Sequence, residues 1–207
     1  AERAGLRVRQ RSVDGSSGND YVLFRFLFRN TGSAALRFFA GFAGDWDIDF
    51  DALDDRGATA LDGRLMYQHS PAESGVHVGT MLLGDVPVSG NYFFKGLEEF
   101  PSVARQFRAL RGGVLRGTAN GGDLRYIHGA GPIRLEPQET QDIWIAVVAG
   151  ENRAQLLDNA AAARADVADR LTETISEQAT APFNPPAPIR GTGRRSARPD
   201  CKDCRPQ

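Results

Sequence analysis

The chain reads as a mainly β protein: an antiparallel β-sandwich with one short helix, one long C-terminal helix and an extended tail. Several short runs alternate apolar and polar residues with period two, which places one face of a strand in a core. Clusters of Gly, Pro, Asp or Asn punctuate most of these runs, the pattern of an all-β domain. An alanine-rich helical stretch then gives way to a proline-rich, basic end with no core of its own. Of the 207 residues, 41% are apolar and 25% charged, which excludes wholesale disorder, collagen-like repeats and a disulfide-dense miniature scaffold.

The clearest alternation runs from Tyr21 to Arg29, with Val22, Phe24, Phe26 and Phe28 on one face. Asn30-Thr31-Gly32-Ser33 supplies turn chemistry, and Leu36, Phe38, Ala40 and Phe42 resume the pattern, so the two runs are expected to form an antiparallel hairpin. Leu6 to Arg9 reads as a short strand before them. Further strands are expected around Leu65–Gln68, Val76–Leu83, Tyr92–Phe94, Leu124–His128 and Gln141–Val148. The last is apolar on both faces, Ile143-Ile145-Val147 and Trp144-Ala146-Val148, and so should be central and covered from both sides.

Two helices interrupt the strands. Pro101 to Leu110 spaces Val103, Phe107 and Leu110 along one face and is ended by Gly112-Gly113. Glu151 to about Glu177 is longer, with Leu157, Ala160, Arg164, Val167, Leu171 and Ile175 marking the expected packing face. Residues 1–178 therefore form the sandwich with its packed helix, and residues 179–207 the tail.

Six of the 11 prolines (182, 185, 186, 188, 199 and 206) fall in the tail, and from Arg190 onward six basic residues oppose two aspartates. An extended basic segment that orders itself does so against its own domain or another chain; docking on other protein chains is the expected case, with Pro182, Pro185, Pro186, Pro188, Arg190, Arg194, Arg195 and Arg198 as the contacts. The net charge of −1 gives no overall footprint for nucleic acid. No apolar run approaches the roughly 18–20 residues of a membrane span, although partners could themselves be membrane proteins.

Seven aspartates crowd the stretch from Asp45 to Asp62, against Arg56 alone. On a continuing strand, Asp45, Asp47, Asp49 and Asp51 would share one face. Like charges in a row need either full solvation or a shared cation, and hard oxygen ligands at this density suit calcium. The stretch lacks an EF-hand's glycine at the sixth position, where Phe50 stands, and a solvated acidic rim is the plainer alternative.

Other chemistry is poorly supported. His69, His77 and His128 form no metal-ligand spacing, Ser70 lacks the GxSxG frame, and neither Gly112-Gly113 nor Gly121-Gly122 leads into a phosphate loop. Cys201-Lys202-Asp203-Cys204 sits in the tail without the strand–helix setting of a redox motif, and reads as a local disulfide loop or as two plain thiols. Of the 25 basic residues all but Lys95 and Lys202 are arginine, a bias of GC-rich bacterial genomes. The chain begins Ala1-Glu2-Arg3, as expected of a processed secreted protein or of a segment of a longer one.

Three stretches occur in a familiar order: Tyr21 to Phe26 leading into Arg29-Asn30-Thr31-Gly32, then Phe39 to Ile48 with its Asp45-Trp46-Asp47-Ile48, then Gly131-Pro132-Ile133-Arg134-Leu135-Glu136-Pro137 leading to Ile145 to Gly150. Together they resemble a C-terminal β-sandwich module of secreted bacterial proteins, often subtilisin-like serine peptidases, over roughly residues 6 to 175. The resemblance implies an extracytoplasmic place (periplasmic, cell-surface or secreted) and a non-catalytic role, because the peptidase triad of those proteins lies in a separate domain. The expected function is thus a non-enzymatic accessory subunit that docks on a larger assembly. An attachment domain cut from a secreted hydrolase and a calcium-dependent enzyme of unknown reaction are the alternatives.

Overall fold

A strand that is apolar on both faces needs a layer on each side, and the architecture is built around one such strand. The computed structural model describes residues 2–3, 5–15, 18–48, 54–71, 75–95, 102–114, 118–119 and 121–177. In chain order the elements are β1 (Glu2–Arg3), β2 (Leu6–Asp14), β3 (Tyr21–Asn30), β4 (Leu36–Asp45), β5 (Arg56–Ala60), β6 (Leu65–His69) and β7 (His77–Leu83). They continue as β8 (Val88–Lys95), α1 (Val103–Arg111), β9 (Gly113–Val114), β10 (Thr118–Ala119), β11 (Leu124–Leu135), β12 (Thr140–Gly150) and α2 (Arg153–Glu177). The first sheet has the order β1-β2-β3-β12-β7-β6-β5-β10, the second β4-β11-β8-β9. All pairings are antiparallel except the short β8–β9 contact.

Stacking the two sheets and flanking them with the helices gives four layers: α2, the large sheet, the small sheet and α1. Ile143 and Ile145 of β12 point into the space between the sheets with Phe28, Leu82, Ile133 and Leu135. Trp144, Ala146 and Val148 point the other way and are covered by Leu156, Ala160, Ala163 and Val167 of α2. The expectation of a central strand covered on both sides therefore holds.

The long helix forms where its composition puts it, and Ala160 and Val167 of the expected face are buried while Leu157 packs at its edge; Leu171 and Ile175 lie outside the described side chains. Leu156 and Ala163 are fully buried, whereas Leu157 is half-buried and Arg164 exposed. Adjacent Leu156-Leu157 and the alanine run from 160 to 163 allow two neighbouring faces, and the fit to the sheet selects the smaller one. In α1 only Leu110 of the expected face packs on the sheet. Ala109 is the buried residue, while Val103 and Phe107 are 81% and 47% exposed.

The reason lies underneath. Gly41, Gly129 and Gly90 sit in one row across β4, β11 and β8, and together they cut a trough into the outer face of the small sheet. A Cβ on Gly90 would overlap the carbonyl oxygen of Ala109, and one on Gly129 would lie 2.9 Å from that of Leu110. The backbone of α1 thus rides directly on the sheet, and a small residue faces it.

Two further expectations are corrected. β3 and β4 do not form a hairpin: β3 pairs with β2 and β12, whereas β4 crosses to the other sheet and pairs with β11. The Asn30 side chain holds that corner. Fully buried, it donates to the carbonyls of Ala34 and Leu135 (2.8 and 3.1 Å) and accepts from the Gly32 amide (2.9 Å). β3 also buries both faces, with Tyr21 and Leu23 against α2 and Phe26 and Phe28 between the sheets, while Val22 is 40% exposed.

The glycine trough gives a direct check. Gly90→Ala forces a methyl group into the α1 backbone and should cost about 1–3 kcal/mol in urea unfolding. Arg105→Ala, on the exposed side of the same helix, should stay within about 0.5 kcal/mol of the parent.

Candidate functional site

The acidic stretch is positioned from below by Trp46. Its indole N–H donates to the Tyr126 hydroxyl at 2.9 Å. The Gln68 side chain clamps its backbone, donating to the Trp46 carbonyl at 2.8 Å and to the Leu124 carbonyl at 2.9 Å. Tyr126 is wholly buried, and that burial pushes its phenol up to about 12, so it stays protonated. One residue to either side of this anchor, Asp45 and Asp47 project at the end of β4. Asp123, from the bend before β11, completes a group of three carboxylates whose oxygens lie within 4.8 Å of one another.

Asp45 and Asp47 are thus brought together as the sequence suggests. Asp49 and Asp51 lie outside the described residues, and so do Cys201, Cys204 and the tail residues Pro182, Pro185, Pro186, Pro188, Arg190, Arg194, Arg195 and Arg198. Asp123 escaped the sequence reading because only the β4–β11 pairing, which sets Arg125 opposite Asp45, carries it to the cluster. The same pairing delivers a cation. The Arg125 guanidinium contacts Asp45 at 2.8 Å and Asp123 at 3.6 Å, with its own side chain only 14% exposed.

A metal ion at this place would therefore share the carboxylates with a built-in guanidinium. Three carboxylates can hold a cation, but calcium takes roughly six to eight oxygens, so the remainder would have to come from water or main chain.

No family model matches the chain, and no curated protein matches it significantly. What the site can do is therefore read from its own groups.

The histidines are spent on structure or on each other. His128 is fully buried between the sheets, where Nε2–H donates to the Gly63 carbonyl at 3.0 Å and Nδ1 lies 3.2 Å from the Thr80 hydroxyl. Asn91 donates to the same carbonyl at 2.7 Å. Gly63 can reach inward because Leu61, Asp62 and Gly63 all adopt left-handed backbone, at φ 53°, 55° and 79°. His69 and His77, directly opposite in register on β6 and β7, stack in parallel with ring centroids 4.7 Å apart. Each holds a backbone carbonyl with Nδ1, at Ser70 and Gly75 respectively, both at 2.7 Å.

Burial, helped by the positive charge of Arg64, lowers the His128 pKa to about 4. An unfolded histidine protonates near 6.5, so between about pH 6.5 and 4 the unfolded chain binds the extra proton. Stability from this group is full above about pH 6.5 and falls by up to about 1.4 kcal/mol per pH unit on acidification through that window. In urea unfolding followed from pH 7 to 4, His128→Gln should flatten this slope even where it lowers stability overall.

Proposed function

We propose that this chain is a non-catalytic interaction module that docks on a larger protein assembly outside the cytoplasm. The observation that carries this reading is the edge strand β4. β11 is the only strand that pairs with it among the described residues, which leaves its other edge open. From Phe38 to Gly44 that edge bears neither charge nor proline.

The edge formed by β2 is treated differently. Arg7, Arg9 and Arg11 alternate along it, and β1 covers its start. Sheets normally guard long edges with charge, proline or a covering segment. A guarded edge and a bare one in the same molecule point to strand addition at the bare one, by an extended segment of a partner. The extracytoplasmic setting rests on the resemblance, and the tail remains the second proposed contact. No helix among the described residues is long and apolar enough to cross a membrane.

Association is read by copurification at fixed stoichiometry from native extract. Ala43→Lys, at an exposed position of β4, should weaken the association without loss of fold, and removal of residues 182–207 should abolish it. A full-length chain that runs as a free monomer in native extract overturns the proposal.

The carboxylates of Asp45, Asp47 and Asp123 support a second reading, in which calcium steadies the β4–β11 end of the sandwich. At free calcium about 100-fold above Kd, stability should rise by about 2.7 kcal/mol, and Asp123→Asn should remove the gain. A thermal midpoint unmoved by a chelator overturns it.

A further inference from the structure

At the opposite end of the small sheet from the acidic cluster, two β-bulges open a cleft of about 670 Å3 beside α1. Between β8 and β11 the register slips so that Ser89 has no partner, and between β4 and β11 it slips at Gly131-Pro132. Bulges re-aim side chains, and here Ser89 is turned into the cleft wall. It is 92% buried, and its hydroxyl has no hydrogen-bond partner.

Arg37 and Arg111 line the same cleft. Neither has a carboxylate partner among the described residues: Arg111 lies over the Phe107 ring at 5.6 Å, and Arg37 makes no ion pair. Arg37 is also opposite Arg134 in register, a like-charge cross-strand pair. Arg134 has Glu136 at 2.8 Å to offset its charge, which leaves that of Arg37 unanswered among the described residues. The remaining wall is apolar, with Phe39 and Phe107 in edge-to-face contact, centroids 6.1 Å apart.

We infer that this cleft binds an organic carboxylate with an aromatic or aliphatic body. Two guanidinium forks match a carboxylate in shape and charge. The phenylalanine pair takes the apolar body, and the Ser89 hydroxyl, enclosed in the wall, keeps an unused donor beside it. The volume is that of a small-molecule site and far exceeds a bare inorganic anion. The inference is independent of the docking reading, because it uses the outer face of β4 and not its edge.

The test is calorimetric titration of the full-length chain with phenylacetate and octanoate, with 2-phenylethanol, acetate and inorganic phosphate as comparisons. Saturable binding of one phenylacetate or octanoate per chain is expected, at least about tenfold tighter than 2-phenylethanol or acetate, as loss of a charge-assisted or apolar contact implies. Arg37→Gln and Arg111→Gln should each weaken it by about tenfold or more. Both positions are exposed, so the circular dichroism spectrum should be unchanged, and Ser89→Ala should give a smaller loss. Three results overturn the assignment: no saturable binding at millimolar carboxylate, 2-phenylethanol or phosphate binding as well as phenylacetate, or full affinity retained in both arginine variants.

Discussion

β12 has no face to give to water, and the remaining layers answer that constraint. Its odd-numbered residues Ile143 and Ile145 need a sheet opposite them, and its even-numbered residues Trp144, Ala146 and Val148 need a helix. A single sheet with one solvated face, the common antiparallel solution, is closed to such a strand. The chain meets the demand by sending β4, β8 and β11 to a second sheet on one side and α2 to the other. Each crossing is a corner that must satisfy its own backbone groups away from water. The buried amide of Asn30 does so at the corner after β3; the turn after β5 stays within the large sheet, and its inward Gly63 carbonyl ties that sheet to His128 and Asn91 of the small one.

How far this was legible in the sequence depends on whether the signal is local. β12 declares itself because both of its faces are written in consecutive residues. β5 does not: Arg56-Gly57-Ala58-Thr59-Ala60 has no large apolar residue, and its smallness has a tertiary cause. A Cβ on Gly57 would run into the Phe93 ring from the facing sheet. The hairpin expected of β3 and β4 failed for a related reason. Turn residues signal that the chain reverses, but they do not say in which sheet it resumes. The buried Asn30, which a surface hairpin would leave exposed, marks the difference only once its partners are known.

The helices show the same limit. Periodicity gave both helices and part of each packing face, Ala160 and Val167 in α2 and Leu110 in α1; the rest is selected by a surface built from distant residues. For α1 that surface is a row of glycines from three strands, Gly41, Gly129 and Gly90. Nothing near residues 103–111 announces that backbone, rather than Val103 or Phe107, will do the packing. The cost of the trough is that Val103 and Phe107 of α1 are left outside, where Phe107 forms part of the wall of the arginine-lined cleft.

Charge along the β4–β11 ladder follows from that same placement. At one end Asp45 stands opposite Arg125, and the pair is closed by Asp123 as well. At the other end Arg37 stands opposite Arg134, two like charges at cross-strand distance, where opposite charges would have stabilised the pair. One arginine thus offsets part of the acidic cluster, whereas among the described residues Arg37 has no carboxylate partner. Acidic density drew attention in the sequence because it is contiguous, yet that end of the ladder is already partly compensated from within by Arg125. The uncompensated end is assembled from β4, β8, β11 and α1, so no window of sequence displays it. Electrostatic free energy is still to be gained there, and an anion from outside the described residues is what would supply it.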